Sequence, residues 1–172
     1  VYKGLAGMII VEDDDKQLEL PSTYGVDDIP MVVQDRRFND DGSFRYMNTY
    51  EDTVVGMRGD TILVNGTRQP YYVPTTRLVR FRLLNAANAR TFVFAFSDGR
   101  EFRQIASDGG LLQAPVTMSQ LELTPAERAE IVVDFSDGAE VRLLNLGKAS
   151  NLPEFPGAMS GMMRSLNAEN LE

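Results

Sequence analysis

Arg80-Phe-Arg-Leu-Leu-Asn85-Ala-Ala-Asn88-Ala-Arg90, continuing into Thr91-Phe-Val-Phe-Ala-Phe-Ser97-Asp98-Gly99 and then Arg103-Gln-Ile-Ala-Ser-Asp108-Gly109-Gly110, is the stretch whose reading decides the fold. Leu78, Arg80, Arg82 and Leu84 alternate with Val79, Phe81 and Leu83. A period of two means a strand with one apolar face and one mixed face. Phe92, Phe94 and Phe96 share one face of a second strand by the same period and are assigned to the core. Ser97-Asp98-Gly99 reads as a hairpin turn from which residues 102–106 pair back. Asp108-Gly109-Gly110 reads as a loop that needs the backbone freedom of glycine. The expectation is a three-stranded meander with turn signals between its strands.

Upstream, Gly4-Leu-Ala-Gly7-Met-Ile-Ile-Val11 predicts a short strand whose continuous apolarity implies burial on both faces. The acidic run Glu12-Asp-Asp-Asp15 closes it. Residues 29–38 form the next strand, with Pro30 near its start, where a missing donor is tolerated. Residues 43–58 have no clean period and read as a long loop with a helical turn. Asp60-Thr-Ile-Leu-Val-Asn65-Gly66 is a strand ending in an Asn-Gly pair, which favours turns of positive φ. Downstream, residues 116–123, 129–135 and 141–146 are strands. Thr124 is placed to cap a short turn with Pro125 at a first helical position. About nine short strands with turns between them give an all-β sandwich with little helix.

Composition narrows the chemistry. At 172 residues with 43% apolar composition and nine Phe, the chain can build a core of its own. Its 17 basic and 25 acidic residues leave a net charge of −8 with the basic residues scattered, so nucleic acid is not an expected partner. No apolar run approaches the roughly 20 residues of a spanning helix, so no membrane is expected either. The chain holds no His and no Cys. That removes disulfides, thiolate nucleophiles, the commonest metal ligand and the usual general base. The opening at Val1 and the closing Leu171-Glu172, read as a tag scar, suggest a piece of a longer protein.

Taken together and in order, six segments resemble the multicopper oxidases, the laccases and bacterial copper-efflux oxidases: Gly4-Leu-Ala-Gly7-Met-Ile-Ile-Val-Glu12; Asp28-Ile-Pro-Met-Val-Val-Gln-Asp35; Asp60-Thr-Ile-Leu-Val-Asn65-Gly66; Arg82-Leu-Leu-Asn85 with Asn88 and Arg90; Ile105-Ala-Ser-Asp108-Gly109-Gly110; and Glu127-Arg128 before Glu130-Ile-Val-Val-Asp134. The match is to the middle domain of a three-domain enzyme. The resemblance implies a cupredoxin-like, Greek-key β-sandwich over residues 13–146. Residues 1–12 would be a strand trailing from a preceding domain, and residues 147–172 an arm toward a following one. In that family the copper ligands lie in His-X-His segments and a Cys-bearing segment of the outer domains, none of which is present here.

The resemblance therefore implies no catalytic, cofactor-binding or metal-binding residue in this chain, with copper held only in the parent protein, which would be periplasmic or secreted. The implied partners are the flanking cupredoxin domains of the same parent chain, and the exposed ends also offer a route to a homo-oligomer. The alternative parent is a copper-free periplasmic scaffold or cell-division protein of the same shape. A third reading, a complete extracellular binding module, would require both ends to pack on the chain's own sandwich.

Several residues invite sharper readings. Met159, Met162 and Met163 offer thioether sulfur suited to Cu(I), although methionine filling irregular contacts in an arm is the preferred reading. Asp108 beside Gly109 and Gly110, near Arg90 or Arg82, could be a buried ion pair or a nest. A turn whose Asp serves local backbone donors is preferred. Glu127 and Arg128 are read as a structural pair fixing the Thr124-Pro125 turn, and Glu12 to Asp15 as a solvated turn whose spacing fits no calcium loop.

Overall fold

The computed structural model describes residues 2–11, 19–46 and 49–147, the side chain of Glu51 excepted. Among them are nine strands and one short helix. β1 (Asp28–Arg36) is followed by α1 (Tyr50–Val54), β2 (Thr61–Val64), β3 (Leu78–Asn85), β4 (Phe92–Phe96), β5 (Phe102–Ser107), β6 (Gly110–Met118), β7 (Leu121–Leu123), β8 (Arg128–Asp134) and β9 (Leu143–Asn145). Six strands make one sheet in the order β2-β1-β3-β8-β5-β6, and three make the other in the order β7-β4-β9. Every pairing is antiparallel except that of β1 with β3. The late return of β8 to the place between β3 and β5 gives the sandwich its Greek-key connection. The expected all-β, cupredoxin-like Greek-key sandwich is the observed fold.

The alternation of β3 sorts its side chains as the sequence predicts. Val79, Phe81 and Leu83 enter the core, where they meet Phe92, Phe94 and Phe96 of the facing sheet together with Val33, Phe102, Leu121, Leu123, Ile131 and Val133. Phe92 and Phe94 stack with centroids 5.5 Å apart, while Phe96 meets Phe102 and Phe135 edge-on. Asn65 and Gly66 both have positive φ, of 50° and 79°, and reverse the chain after β2. The Asn65 amide then acts as an extra rung of the sheet. Its Nδ2 donates to the Pro30 carbonyl at 2.9 Å, and its Oδ1 accepts from the Val32 amide at 2.8 Å.

The meander does not exist. β4 lies in the three-stranded sheet while β3 and β5 lie in the six-stranded one, so Ser97-Asp98-Gly99 carries the chain across the sandwich instead of closing a hairpin. Periodicity fixes which side of a strand is apolar but not which strand lies beside it. The crossing is fastened by Arg100. Its guanidinium binds Asp98 and Asp137, each at 2.8 Å, and donates to the Asp134 carbonyl at 2.8 Å, tying the β4–β5 connection to the turn after β8.

Three further expectations change. Residues 4–11 form no strand, and Leu5, Ile9 and Val11 are 82%, 92% and 83% exposed. Continuous apolarity there does not reflect burial within the described residues. The strand expected over 116–123 is two, β6 and β7, with Ser119 and Gln120 moving the chain between sheets, and β6 begins six residues earlier, at Gly110. No helix follows Thr124. Instead, Ala126 takes a φ of 74°, and the Thr124 amide donates to the Glu127 carboxylate.

Candidate functional site

On β3 the residues that point away from the core include Arg80 and Arg82, and the register of the neighbouring strands decides what they meet. The parallel pairing sets Asp28 beside Arg80 and Pro30 beside Arg82, while the antiparallel pairing sets Glu130 opposite Arg82. Arg82 grips Asp28 with two parallel hydrogen bonds, Nε to Oδ1 at 2.7 Å and Nη2 to Oδ2 at 2.6 Å, and its Nη1 reaches Glu130 Oε1 at 3.2 Å. Arg80 holds the other Glu130 oxygen, with Nε at 2.7 Å and Nη2 closer. Two guanidinium groups and two carboxylates thus form a ladder of zero net charge in the order Arg80–Glu130–Arg82–Asp28. Asp28 and Arg82 are buried in it. With its carboxylate oxygens taken by guanidinium groups, the ladder is a fastening across β1, β3 and β8.

A second polar cluster lies where β1 ends. Asp35 is buried and accepts from the Gly59 amide at 2.7 Å and from Arg90 Nε at 2.8 Å, while Arg90 Nη2 donates to the Gly59 carbonyl at 2.6 Å. The approach of residues 58–60 to β1 is so close that a Cβ on Gly59 would lie 2.1 Å from the Arg36 nitrogen, which only glycine permits. Arg36 is buried beneath the Tyr2 ring, with its guanidinium carbon 5.1 Å from the ring centroid, and donates to Gln34 Oε1 at 2.7 Å. Burial lowers its pKa against the pull of Asp35.

Arg37 pairs with buried Asp52 at 2.8 Å. Burial of Arg37 opposes its charge, but the Asp52 hydrogen bond and charge outweigh that and raise its pKa. The Tyr2 hydroxyl donates to the Arg45 carbonyl at 2.6 Å and accepts from the Arg37 amide at 2.9 Å. The chain at residue 2 is thereby locked to the sandwich just before residues 4–11, of which Ala6, Met8 and Ile10 are half-buried. Between the clusters sits Asn85, fully buried, with Nδ2 donating to the Arg90 and Leu123 carbonyls and Oδ1 accepting from the Ala87 amide. An open groove of about 820 Å3 lies alongside, between residues 4–6, β1, β2 and the 38–44 hairpin, with Val32, Leu63, Phe38 and Phe44 in its walls.

The residues singled out in the sequence are placed differently from one another. Asp108 meets neither Arg82 nor Arg90. It accepts from the Arg128 amide at 2.7 Å and pairs with the Arg128 guanidinium at 2.8 Å, both side chains being exposed. Glu127 fixes the Thr124 turn through the Thr124 amide, and Arg128 donates to the Ala126 carbonyl of the same turn at 3.3 Å while also pairing with Asp108. Met159, Met162, Met163 and Glu12 to Asp15 lie outside the described residues. The sequence reading missed Asp28, Asp35 and Gly59 as anchoring residues. The one local signal was the pair of acids bracketing an apolar strand.

Among the described residues no three His, Cys, Asp or Glu side chains come together as a metal site. With neither imidazole nor thiolate anywhere in the chain, its donors do not fit a copper centre of the cupredoxin type. Comparison with known proteins follows the same frame. The multicopper oxidase family model matches residues 13–142. The chain belongs to the multicopper oxidase family. This family member is 46% identical over 153 residues to the cell division protein FtsP of Escherichia coli, covering 88% of the chain and 32% of that protein. It is 41% identical over 170 residues to FtsP of Proteus mirabilis, covering 97% and 36%.

Among solved structures, a variant of the McoA multicopper oxidase of Aquifex aeolicus is 39% identical with a TM-score of 0.76 over 87% of this chain and 35% of that one. The laccase-like multicopper oxidase CueO of Ochrobactrum is 41% identical with a TM-score of 0.70 over 76% and 29%. The chain spans about a third of the length of the relatives it matches.

Proposed function

We infer that this cupredoxin-like domain is a non-catalytic connector, the second of three domains in one parent polypeptide, which holds the domains before and after it in position. The observation that carries this reading is the exposed apolar face of residues 4–11, where half-buried Ala6, Met8 and Ile10 alternate with exposed Leu5, Ile9 and Val11. Tyr2 anchors these residues, yet they expose Leu5, Ile9 and Val11 almost completely, as a segment shaped to pack against something outside the chain would. The lack of imidazole and thiolate in this chain is consistent with copper chemistry in flanking domains, and the one-third share of the relatives' length leaves room for them. The parent is then a periplasmic or secreted copper-dependent oxidase that acts on phenols or metal ions with O2 as acceptor; the names of the solved relatives support its being a multicopper oxidase.

A second reading of the parent is a copper-free cell-division protein of the same shape, whose cell-division role is supported by the name shared by the FtsP relatives. The two separate in the parent itself. A copper-dependent oxidase carries a His-X-His pair just upstream of residue 1, retains copper through dialysis and shows blue absorption. A parent that lacks the pair and is copper-free after growth in copper-supplemented medium is the cell-division scaffold, and the connector role stands for it unchanged.

A further inference from the structure

Of the nine asparagines in the chain, Asn65 alone is followed by glycine. Asparagine is a thermally labile residue, and a following glycine exposes it to attack by the next backbone nitrogen, because no side chain hinders the approach. Asn65 and Gly66 are both exposed, at the tip of the two-residue loop that leaves β2. Reciprocal bonds between Val64 and Thr67, each of 3.0 Å, close that loop, and none of its backbone hydrogen bonds uses the Gly66 amide. Nothing lies within 4 Å of the place a Gly66 Cβ would take. The nucleophile is therefore open to water.

The electrophile is not. Asn65 Oδ1 accepts from the Val32 amide at 2.8 Å and Nδ2 donates to the Pro30 carbonyl at 2.9 Å, while the Asn65 backbone amide donates to the Val32 carbonyl at 2.9 Å. Both ends of the side-chain amide are thus held on β1. For the Gly66 nitrogen to reach Asn65 Cγ, that amide must leave Pro30 and Val32 together.

We propose that Asn65 is a deamidation site held latent by these two hydrogen bonds, and that its reaction releases the end of β2. The Gly66 nitrogen gives its proton to hydroxide and bonds to Asn65 Cγ. The Cγ–Nδ2 bond breaks, and the nitrogen leaves as ammonia with a proton from water. The five-membered imide so formed adds water at either carbonyl, leaving an aspartate or an isoaspartate at position 65, with no change of oxidation state. Neither product can rebuild the rung. A carboxylate has no N–H for the Pro30 carbonyl, and the isoaspartate also adds a methylene to the main chain. β2 is a four-residue edge strand paired with β1, so the reaction loosens it where Asn65 and Gly66 wall the groove beside β1.

The Val32 N–H is given to Asn65, so its hydrogen exchange reports the opening of the rung. In the 172-residue chain held in mildly alkaline buffer, conversion is followed by mass spectrometry of the tryptic peptide 59–68 and Val32 exchange by NMR. Both are expected to be slower in the native chain than in the chain unfolded by urea, by a common factor of about tenfold or more. Conversion as fast in the native chain as in urea overturns the proposal, and so does a peptide that stays unconverted in urea. Slow conversion beside a freely exchanging Val32 amide overturns it as well, because the protection would then come from the turn backbone and not from the rung. Asn65→Asp, which carries the side chain of one product, is expected to speed exchange of residues 61–64 about tenfold while β3 and β8 stay protected. Unchanged exchange of residues 61–64 in that variant overturns the release of β2.

Discussion

Arg82 is buried between Asp28 and Glu130, and its removal would leave a carboxylate in the dark of the fold with no counter-charge. Breaking one side of a buried pair costs about 3–5 kcal/mol, because the surviving charge keeps its desolvation penalty. Arg82→Ala is therefore expected to lower the urea-unfolding free energy by that much, with the midpoint shifted and the slope unchanged. A loss below about 1 kcal/mol, the value of a surface pair, would show that the ladder is not a fastening. The sequence showed that Arg80 and Arg82 leave the core. It did not show Asp28 as their partner, because a parallel register between strands 54 residues apart leaves no local trace.

The exposed pair Arg77–Asp134 makes the pH-dependent counterpart. The Arg77 hydrogen bonds, reinforced by Ser136, hold the Asp134 carboxyl well below the ordinary carboxylate range. A depressed folded pKa gives stability that is fully present above the unfolded value of about 4 and is lost as pH falls through the folded value. The difference in urea midpoint between wild type and Arg77→Gln is expected to be present at pH 7 and to shrink steadily as pH is lowered from 4 to 2. A difference that is constant with pH would assign the effect to packing.

At the scale of elements, β4 carries the lesson about what periodicity contains. Its face of Phe92, Phe94 and Phe96 was legible and is buried as read. Its sheet was not, since Ser97-Asp98-Gly99 has the composition of a hairpin turn and serves here as a crossing held by Arg100. The same limit explains why β6 and β7 merged in the sequence reading: the Ser119-Gln120 step between sheets has no glycine or proline to mark it. Phe94 stacks on Phe92 and is buried in the core with residues of the facing sheet. Phe94→Ala is expected to cost about 3–5 kcal/mol in urea unfolding, the range for emptying an aromatic site in a packed core. A Phe94→Leu variant should recover most of that, and failure to do so would mean that the ring's shape, not its volume, holds the two sheets together.

At the scale of the whole molecule, residues 4–11 separate what folds the chain from what the chain is for. Their apolarity reads in the sequence as a buried strand, yet they add no strand to either sheet, and Ile9 is 92% exposed. A side chain with so little contact contributes almost nothing to the stability of its own domain, and exposed substitutions generally fall within about 0.5 kcal/mol of neutral. If residues 4–11 pack against a neighbouring domain in the parent, the same side chain is buried there, and forcing a lysine into its place costs the transfer of a charge as well as the lost apolar contact. Ile9→Lys is thus expected to leave the unfolding midpoint of the 172-residue chain unchanged while accelerating protease cleavage between the first two domains of the parent. Equal sensitivity in the two contexts would place Ile9 in the fold of this domain, and no sensitivity in either would mean that residues 4–11 face water in the parent as well.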